Sequence, residues 1–315
     1  MVNFKQFFEE RKRNDALYKI DNQSCLDFYC GFDENNNYCL ALKASKPFPF
    51  IESTKLLTIE QKIDIVPDTY WLYISLKDAE AKNVFFSFCN DIFESIDEKK
   101  DFDDLYILLK NRISCWKKMF SKATKPISKE TIKGLYGELL FIDKYLSKQI
   151  GLIDAIKSWS GPAGTSKDFA FEDTWYEVKT INASSPTVKI SSLNQLSDSN
   201  KGYLVVIKVE ETSEMYTSDW SDIITIFDHI SGKLREMNDS EIIDSFFEKL
   251  AKLGFAPDEE YRNYKFRPKE PVFYLVDEQF PRLKESDIQH LEIAKISYEL
   301  ILKMLEKYRS EPWKL

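Results

Sequence analysis

Apolar positions along this chain recur with two periods, and the alternation between them outlines its elements. Ser24–Tyr29 and Tyr38–Ala44 read as strands, with the turn formers Asp33-Glu-Asn-Asn-Asn37 between them. Tyr70–Leu76 is a third apolar, β-prone run. Asp78 is placed to cap a helix through the 80s and 90s. Leu105, Leu108, Leu109, Ile113 and Trp116 recur at helical spacing, which predicts a second helix over 105–120. The polar stretch Ser121-Lys-Ala-Thr-Lys-Pro126 breaks the pattern and predicts a boundary.

Beyond it, Ser128 is a good N-cap, and Ile127 is spaced to staple against Ile132. Leu135, Leu139, Ile142 and Leu146 continue that helix with a 3–4 residue period. After the turn formers Gly161-Pro-Ala-Gly164 come three short β-prone runs: 167–172, 174–181 and 187–191. A short helical piece at 193–196 follows, and then the apolar run Tyr203–Ile207, which reads as a buried central strand. Further on, Asp239 is placed to cap a helix over 240–253, and Pro271–Val276 reads as a strand. Ser286-Asp-Ile-Gln289 has capping-box spacing. It predicts a long helix to about Tyr308, with Ile288, Leu291, Ile296, Leu300, Met304 and Leu305 on its buried side. The fold class is therefore α/β (α+β overall): a central sheet flanked by helices, with α+β additions at both ends. The expected domains are 1–125, a core over 126–235, and a C-terminal extension over 236–315 packing on that core.

Composition narrows the function. No apolar run approaches the roughly 18 residues that a membrane helix needs, and the N-terminus lacks a basic stretch followed by an apolar core. A soluble cytoplasmic protein is expected. The five cysteines are odd in number and none is paired as C-x-x-C, so free thiols in a reducing compartment are expected. With two histidines, His229 and His290, far apart, a zinc, haem, blue-copper or iron–sulfur site is unsupported. Any catalytic metal must then sit on carboxylates, which favours a hard cation such as Mg²⁺. The net charge of −8 argues against binding nucleic acid by bulk charge. The charge is uneven, however. Residues 121–210 carry twelve lysines against ten acids, so the middle of the chain is best able to approach an anion.

That middle also holds the chemistry. Glu177 and Lys179 are two apart on a predicted strand and share a face. Asp168 begins the preceding strand, and if the two strands pair, its carboxylate can meet that of Glu177. Carboxylates that close repel unless a divalent cation lies between them. The Val178 carbonyl could add an oxygen ligand, and the Lys179 ammonium could orient a water or stabilise charge on a phosphoryl oxygen. Glu138 sits between Leu135 and Leu139, near the buried side of its helix, where an unpaired glutamate is expensive. Gly134 and Gly137 before it each cost about 1 kcal/mol in a helix relative to alanine. Close approach of helix to sheet would explain them.

The order Glu138, Asp168, Glu177-Val178-Lys179 resembles the PD-(D/E)XK phosphodiesterase superfamily, which includes many restriction endonucleases. Further motifs resemble one bacterial family within it, known as "putative PD-(D/E)XK" members. These are Gly134-Leu-Tyr-Gly-Glu-Leu-Leu140, Trp159-Ser-Gly-Pro162, Lys167-Asp-Phe169, Glu177-Val-Lys-Thr180, Ile190-Ser-Ser192, Gln195-Leu196 and Phe280-Pro-Arg-Leu283. They span about Trp116 to Leu283. The resemblance implies a restriction-endonuclease-like core with a mixed central sheet. It implies Asp168 and Glu177 as metal-binding acids, Lys179 as the catalytic lysine, and Glu138 as an acid that helps bind metal or steers the lysine. It implies Gln195 as a glutamine beside the active site. The cofactor implied is Mg²⁺, with Mn²⁺ as a substitute, and the activity is hydrolysis of DNA. The setting implied is phage defence or restriction, beside methyltransferase or ATPase partners. Double-strand cleavage needs two sites, so a homodimer is a natural expectation.

Blander readings stand beside these. E-x-K on a strand is common and by itself describes a solvated face. Gln195 could simply bond backbone. Lys167 occupies the position of the motif's proline and could contact a phosphate. Arg282 could touch a phosphate or anchor a loop. Trp159 and Trp175 read as packing residues near the site, Lys189 as solvated, and His229 and His290 as having no role. The main rival function is a non-catalytic module that binds nucleic acid or protein and retains the fold. A nuclease acting on RNA is a second rival, with no base-stacking motif to support it.

Overall fold

Two separate sheets organise the chain, and by contact it divides into two units: 1–126 with 234–260, and 127–233 with 261–315. The structure, a computed structural model, describes residues 2–14, 16–22, 24–96, 101–121, 127–197, 200–212, 219–237, 239–288, 290, 292–311 and 313. The expected boundary at 125/126 lies outside the described residues. The stretch 236–315, expected as one C-terminal extension, is shared between the units, because 234–260 belongs with the first.

In the first unit, β1 (Ala16–Ile20), β2 (Asp27–Phe32), β3 (Tyr38–Ala44), β4 (Leu57–Ile63) and β5 (Tyr70–Leu76) form an antiparallel sheet of order β1-β2-β3-β5-β4. Phe28, Cys30 and Phe32 alternate onto one face, where helices α1 (Phe4–Glu9) and α2 (Lys82–Ser95) bring aromatic rings against them. Phe4 lies 5.8 Å from Phe28, and Phe8 stacks at 5.2 Å on Phe86. Asp101 caps α3 (Phe102–Phe120), one turn earlier than the apolar period alone shows. The helix over Ser240–Lys252 is capped by Asp239 as expected, and its Phe247 meets Trp116 at 5.9 Å. Asp91 is buried but fully engaged. It accepts from Trp116 Nε1 at 2.7 Å, from Arg235 at 2.9 Å and from Arg112.

In the second unit Ser128 caps α4 (Lys129–Leu140), accepting from the Thr131 amide at 3.2 Å. A π-helical turn, Phe141–Leu146, continues it, followed by α5 (Ser147–Ile150) and α6 (Leu152–Ser158). The sheet comprises β6 (Phe169–Phe171), β7 (Thr174–Asn182), β9 (Lys201–Thr212), β10 (Lys265–Pro268), β11 (Val272–Val276) and β13 (Arg309–Ser310). Its order is β13-β11-β9-β7-β6, with β10 also paired to β9. β7 and β9 are parallel and the remaining pairs antiparallel, so the sheet is mixed, as expected. β8 (Thr187–Ile190) leaves this sheet to pair with β12 (Tyr298–Ile301). Helix α7 (Ile223–Met237) was not foreseen in the sequence. It brings His229 and Lys233 onto the buried Asp143 of the π turn, at 2.9 and 2.8 Å. Burial raises the Asp143 proton affinity, but Lys233, Lys144 and His229 outweigh it and hold the carboxyl below its usual range.

The long C-terminal helix is a correction. Residues 298–301 are strand β12, and a 3₁₀ turn covers Leu302–Tyr308. Leu300 and Leu302 are buried two apart, and Met304 is exposed, so the burial follows a strand period there rather than the helical stripe. Pairing of Tyr298 with Ile190 and of Leu300 with Val188 outweighs local helix preference. At the start of this segment Asp287 bonds back to the Lys284 amide at 2.8 Å, closing a short turn. Gln289 and Leu291 lie outside the described residues.

Candidate active site

Strand β7 carries the central pair. Its alternation puts Trp175, Glu177 and Lys179 on one face and Tyr176, Val178 and Thr180 on the other. In register, Glu177 lies beside Leu204 and Lys179 beside Val206, both buried apolar residues of β9. Glu177 is thus 1 % exposed in a wall of hydrocarbon. Extending the β6–β7 register, in which Phe169 opposes Tyr176, by one residue sets Asp168 opposite Glu177.

Each acid has one oxygen held. Asp168 Oδ2 accepts from the Val178 amide at 2.8 Å. Glu138 Oε2 accepts from Trp159 Nε1 at 2.7 Å. Lys179 Nζ lies 2.8 Å from Glu177 Oε1, an ion pair by distance. The other buried oxygen, Oε2, is left without a hydrogen bond. Such atoms are uncommon, because an unsatisfied buried acceptor costs about 1–3 kcal/mol, more when charged.

The electrostatics follow from crowding. Burial, and then the neighbouring Asp168, push the Glu177 carboxyl up to about 8, with Lys179 and Lys167 pulling against them. Burial followed by Asp168 raises Glu138 well above the usual carboxylate range, opposed first by the Trp159 N–H. Asp168 is raised by burial and restrained by Lys179, the Val178 amide and Lys167.

Helix α4 lies on the Val178–Thr180 face. Gly137 explains how it gets there: a Cβ at Gly137 would fall 1.7 Å from Thr180 Oγ1. Gly134 has open space around it, so close approach accounts for one of the two glycines. From this helix the Glu138 carboxylate comes within electrostatic reach of Asp168, Glu177 and Lys179. Among the described residues no three Asp, Glu, His or Cys side chains already converge as a closed metal cage. The donor set is still hard oxygen, and the orphaned Glu177 Oε2 beside Asp168 fits a hard cation. A strand residue that hydrogen-bonds toward one edge turns both its N–H and its C=O that way. The Val178 carbonyl therefore faces the Asp168 edge, where its amide bonds, and is available as a further ligand.

Gln195 is placed differently from the acids. Its side chain accepts from the Ser191 amide at 2.7 Å, closing the 3₁₀ turn Leu193–Leu196. The phosphate contact imagined for Lys167 is a correction. Lys167 is 5 % exposed, and its ammonium donates to the carbonyls of Gln195 at 3.2 Å, of Ser197 at 3.0 Å and of Asn194. With three donors spent on three carbonyls, none remains for a ligand. Arg282 donates to the Leu196 carbonyl and anchors the same turn. Trp175 is buried and stacks against Lys167 at 4.4 Å. Lys189 is exposed.

Two site residues were missed as such by sequence reasoning. Trp159 reads as packing in the sequence, yet its indole donates to Glu138. Gly161 belonged to a turn signal, yet a Cβ there would lie 3.3 Å from Asp168 Oδ1 and 3.7 Å from Glu138 Oε2. Their place in the Trp-Ser-Gly-Pro motif was the available signal.

A mixed α/β unit with an acid, acid-x-lysine constellation at a strand edge and a third acid on the preceding helix has the architecture of a PD-(D/E)XK-type protein. A family model described as "Putative PD-(D/E)XK family member, (DUF4420)" matches residues 4–303, and the chain belongs to that family. No curated protein and no solved structure matches the chain. Among the described residues no helix is long and apolar enough to cross a membrane.

Proposed function

We propose that the second unit is a divalent-cation-dependent nuclease that hydrolyses phosphodiester bonds in DNA. The supporting observation is Glu177: a buried carboxylate opposite Asp168, ion-paired through Oε1 to Lys179 on the same face, with Oε2 lacking a hydrogen bond. Asp168, Glu177 and the Val178 carbonyl would hold Mg²⁺ or Mn²⁺, with Glu138 assisting through Asp168. A bound cation would lower the pKa of an attacking water and supply positive charge for the phosphoryl and leaving oxygens.

The chain's own residues do the rest. The Val178 amide fixes Asp168 Oδ2, so its Oδ1 stays unclaimed among the described residues. Lys179, ion-paired to the buried Glu177, is itself 18 % exposed. It is placed to orient or deprotonate the attacking water and to balance charge on the scissile phosphate. Family membership supports the nuclease-type architecture, while DNA as substrate, Mg²⁺ as cofactor and a defence setting with methyltransferase or ATPase partners belong to this proposal. A homodimer would supply the second site for double-strand cleavage.

The test is incubation of purified protein with supercoiled plasmid, and in parallel with RNA, in Mg²⁺, Mn²⁺ or EDTA, beside Asp168→Ala and Lys179→Ala. Metal-dependent nicking or linearisation lost in both variants is expected. Calorimetry with Mn²⁺ should show binding that Asp168→Ala abolishes. Failure of both would leave the non-catalytic binding module, a reading consistent with acids that do not form a closed cage as they stand.

A further inference from the structure

We infer that Trp159 is a positioning residue of this site: its indole N–H fixes the Glu138 carboxylate beside Asp168 and leaves Oε1 as that acid's unclaimed oxygen. The inference rests on the reading of the acids as a cation site.

Several observations carry it. Trp159 is 0 % exposed and lies just beyond the end of α6. It bridges Phe169, the residue after Asp168. Packing therefore sets the direction of its N–H. That N–H reaches Glu138 Oε2 at 2.7 Å, the short end of the N–H···O range. Among the described residues it is the only hydrogen bond to Glu138.

The two residues after Trp159 hold the other acid. The amides of Ser160 and Gly161 donate to the Asp168 carbonyl at 2.8 and 3.1 Å. One short segment thus orients Glu138 through a side chain and Asp168 through its backbone. At Gly161 the absence of a Cβ keeps space open beside Asp168 Oδ1 and Glu138 Oε2. Carboxylates that bind cations depend on such outer partners, and losing one typically weakens metal affinity 10–100-fold.

The experiment compares wild type, Trp159→Phe, Glu138→Ala and the double variant, with two readouts. The first is the urea midpoint of the metal-free protein. Trp159→Phe should lower it in the wild-type background and much less in the Glu138→Ala background, because the bond's partner is then gone. Equal lowering in both backgrounds is the signature of packing alone and would overturn the inference. The second is Mn²⁺ affinity by calorimetry on the folded proteins. Trp159→Phe should weaken it at least 10-fold, and it should add nothing to Glu138→Ala. Unchanged Mn²⁺ affinity in Trp159→Phe would also overturn the inference. If wild type itself shows no Asp168-dependent Mn²⁺ binding, the proposed function fails. The midpoint comparison then decides alone whether Trp159 positions Glu138.

Discussion

Replacing Glu177 with glutamine keeps the shape of the side chain and removes its charge, which makes it the sharpest probe of the site. The folded protein pushes this carboxyl to about 8 from a usual 4.5, burial first and Asp168 second. The attraction of Lys179 and Lys167 is already inside that net shift. Here the sign is the reverse of a salt-bridged acid. The folded chain binds the proton more tightly than the unfolded chain, so stability falls as pH rises from about 4.5 to about 8, then levels off. At 1.36 kcal/mol per pH unit the penalty is about 3 kcal/mol at pH 7 and about 4 kcal/mol at pH 8, an order-of-magnitude figure. Glutamine carries none of it. Glu177→Gln should therefore match wild type near pH 4.5 and exceed it increasingly toward pH 8. For a unit of this size each kcal/mol moves the melting temperature by about 2–4 °C, so a gain of roughly 10 °C is expected at pH 8. Urea and thermal unfolding in EDTA at pH 5, 7 and 8.5 measure it. Mn²⁺ added at pH 8 should stabilise wild type and not the variant, since ligation requires the ionised acid. A variant no more stable than wild type at pH 8.5, or a difference independent of pH, would refute the reasoning.

Two further substitutions probe the surroundings. Gly137→Ala drives a Cβ to within 1.7 Å of Thr180 Oγ1. It should destabilise the second unit by roughly 1–3 kcal/mol, as overpacking does, with Thr180→Ala restoring part of the loss in urea melts. Lys167→Met removes an ammonium that satisfies three carbonyls of the turn after β8, so those acceptors lose their partner. A loss of about 2–4 kcal/mol is expected, together with faster limited proteolysis near residues 192–200.

Much of the site was legible in the chain because its signals are local. Alternation placed Glu177 and Lys179 on one face of a strand, and β7 bears that out. The side chains of Ser128 and Asp239 cap the helices that they were expected to cap. Gly137 marked the close approach of α4. The misses have a common cause in contacts between distant residues. Residues 298–301 became a strand because Val188 and Ile190 offered a partner. Lys167 turned inward to carbonyls 27 to 30 positions away. His229 acquired a role on Asp143, 86 residues distant, where two lysines and the imidazole converge on one buried carboxylate.

By itself, then, the sequence determined the order of the acids, the lysine and the strand that carries them, since residue period and capping depend only on near neighbours. Tertiary structure alone decided that Glu138 comes within reach of the Asp168 and Glu177 charges, that Trp159 bonds Glu138, and that Lys167 supports a turn instead of a ligand. Those outcomes turn on burial. What packs against a carboxylate or an ammonium sets its desolvation, its proton affinity and its partner, and that packing comes from segments far along the chain.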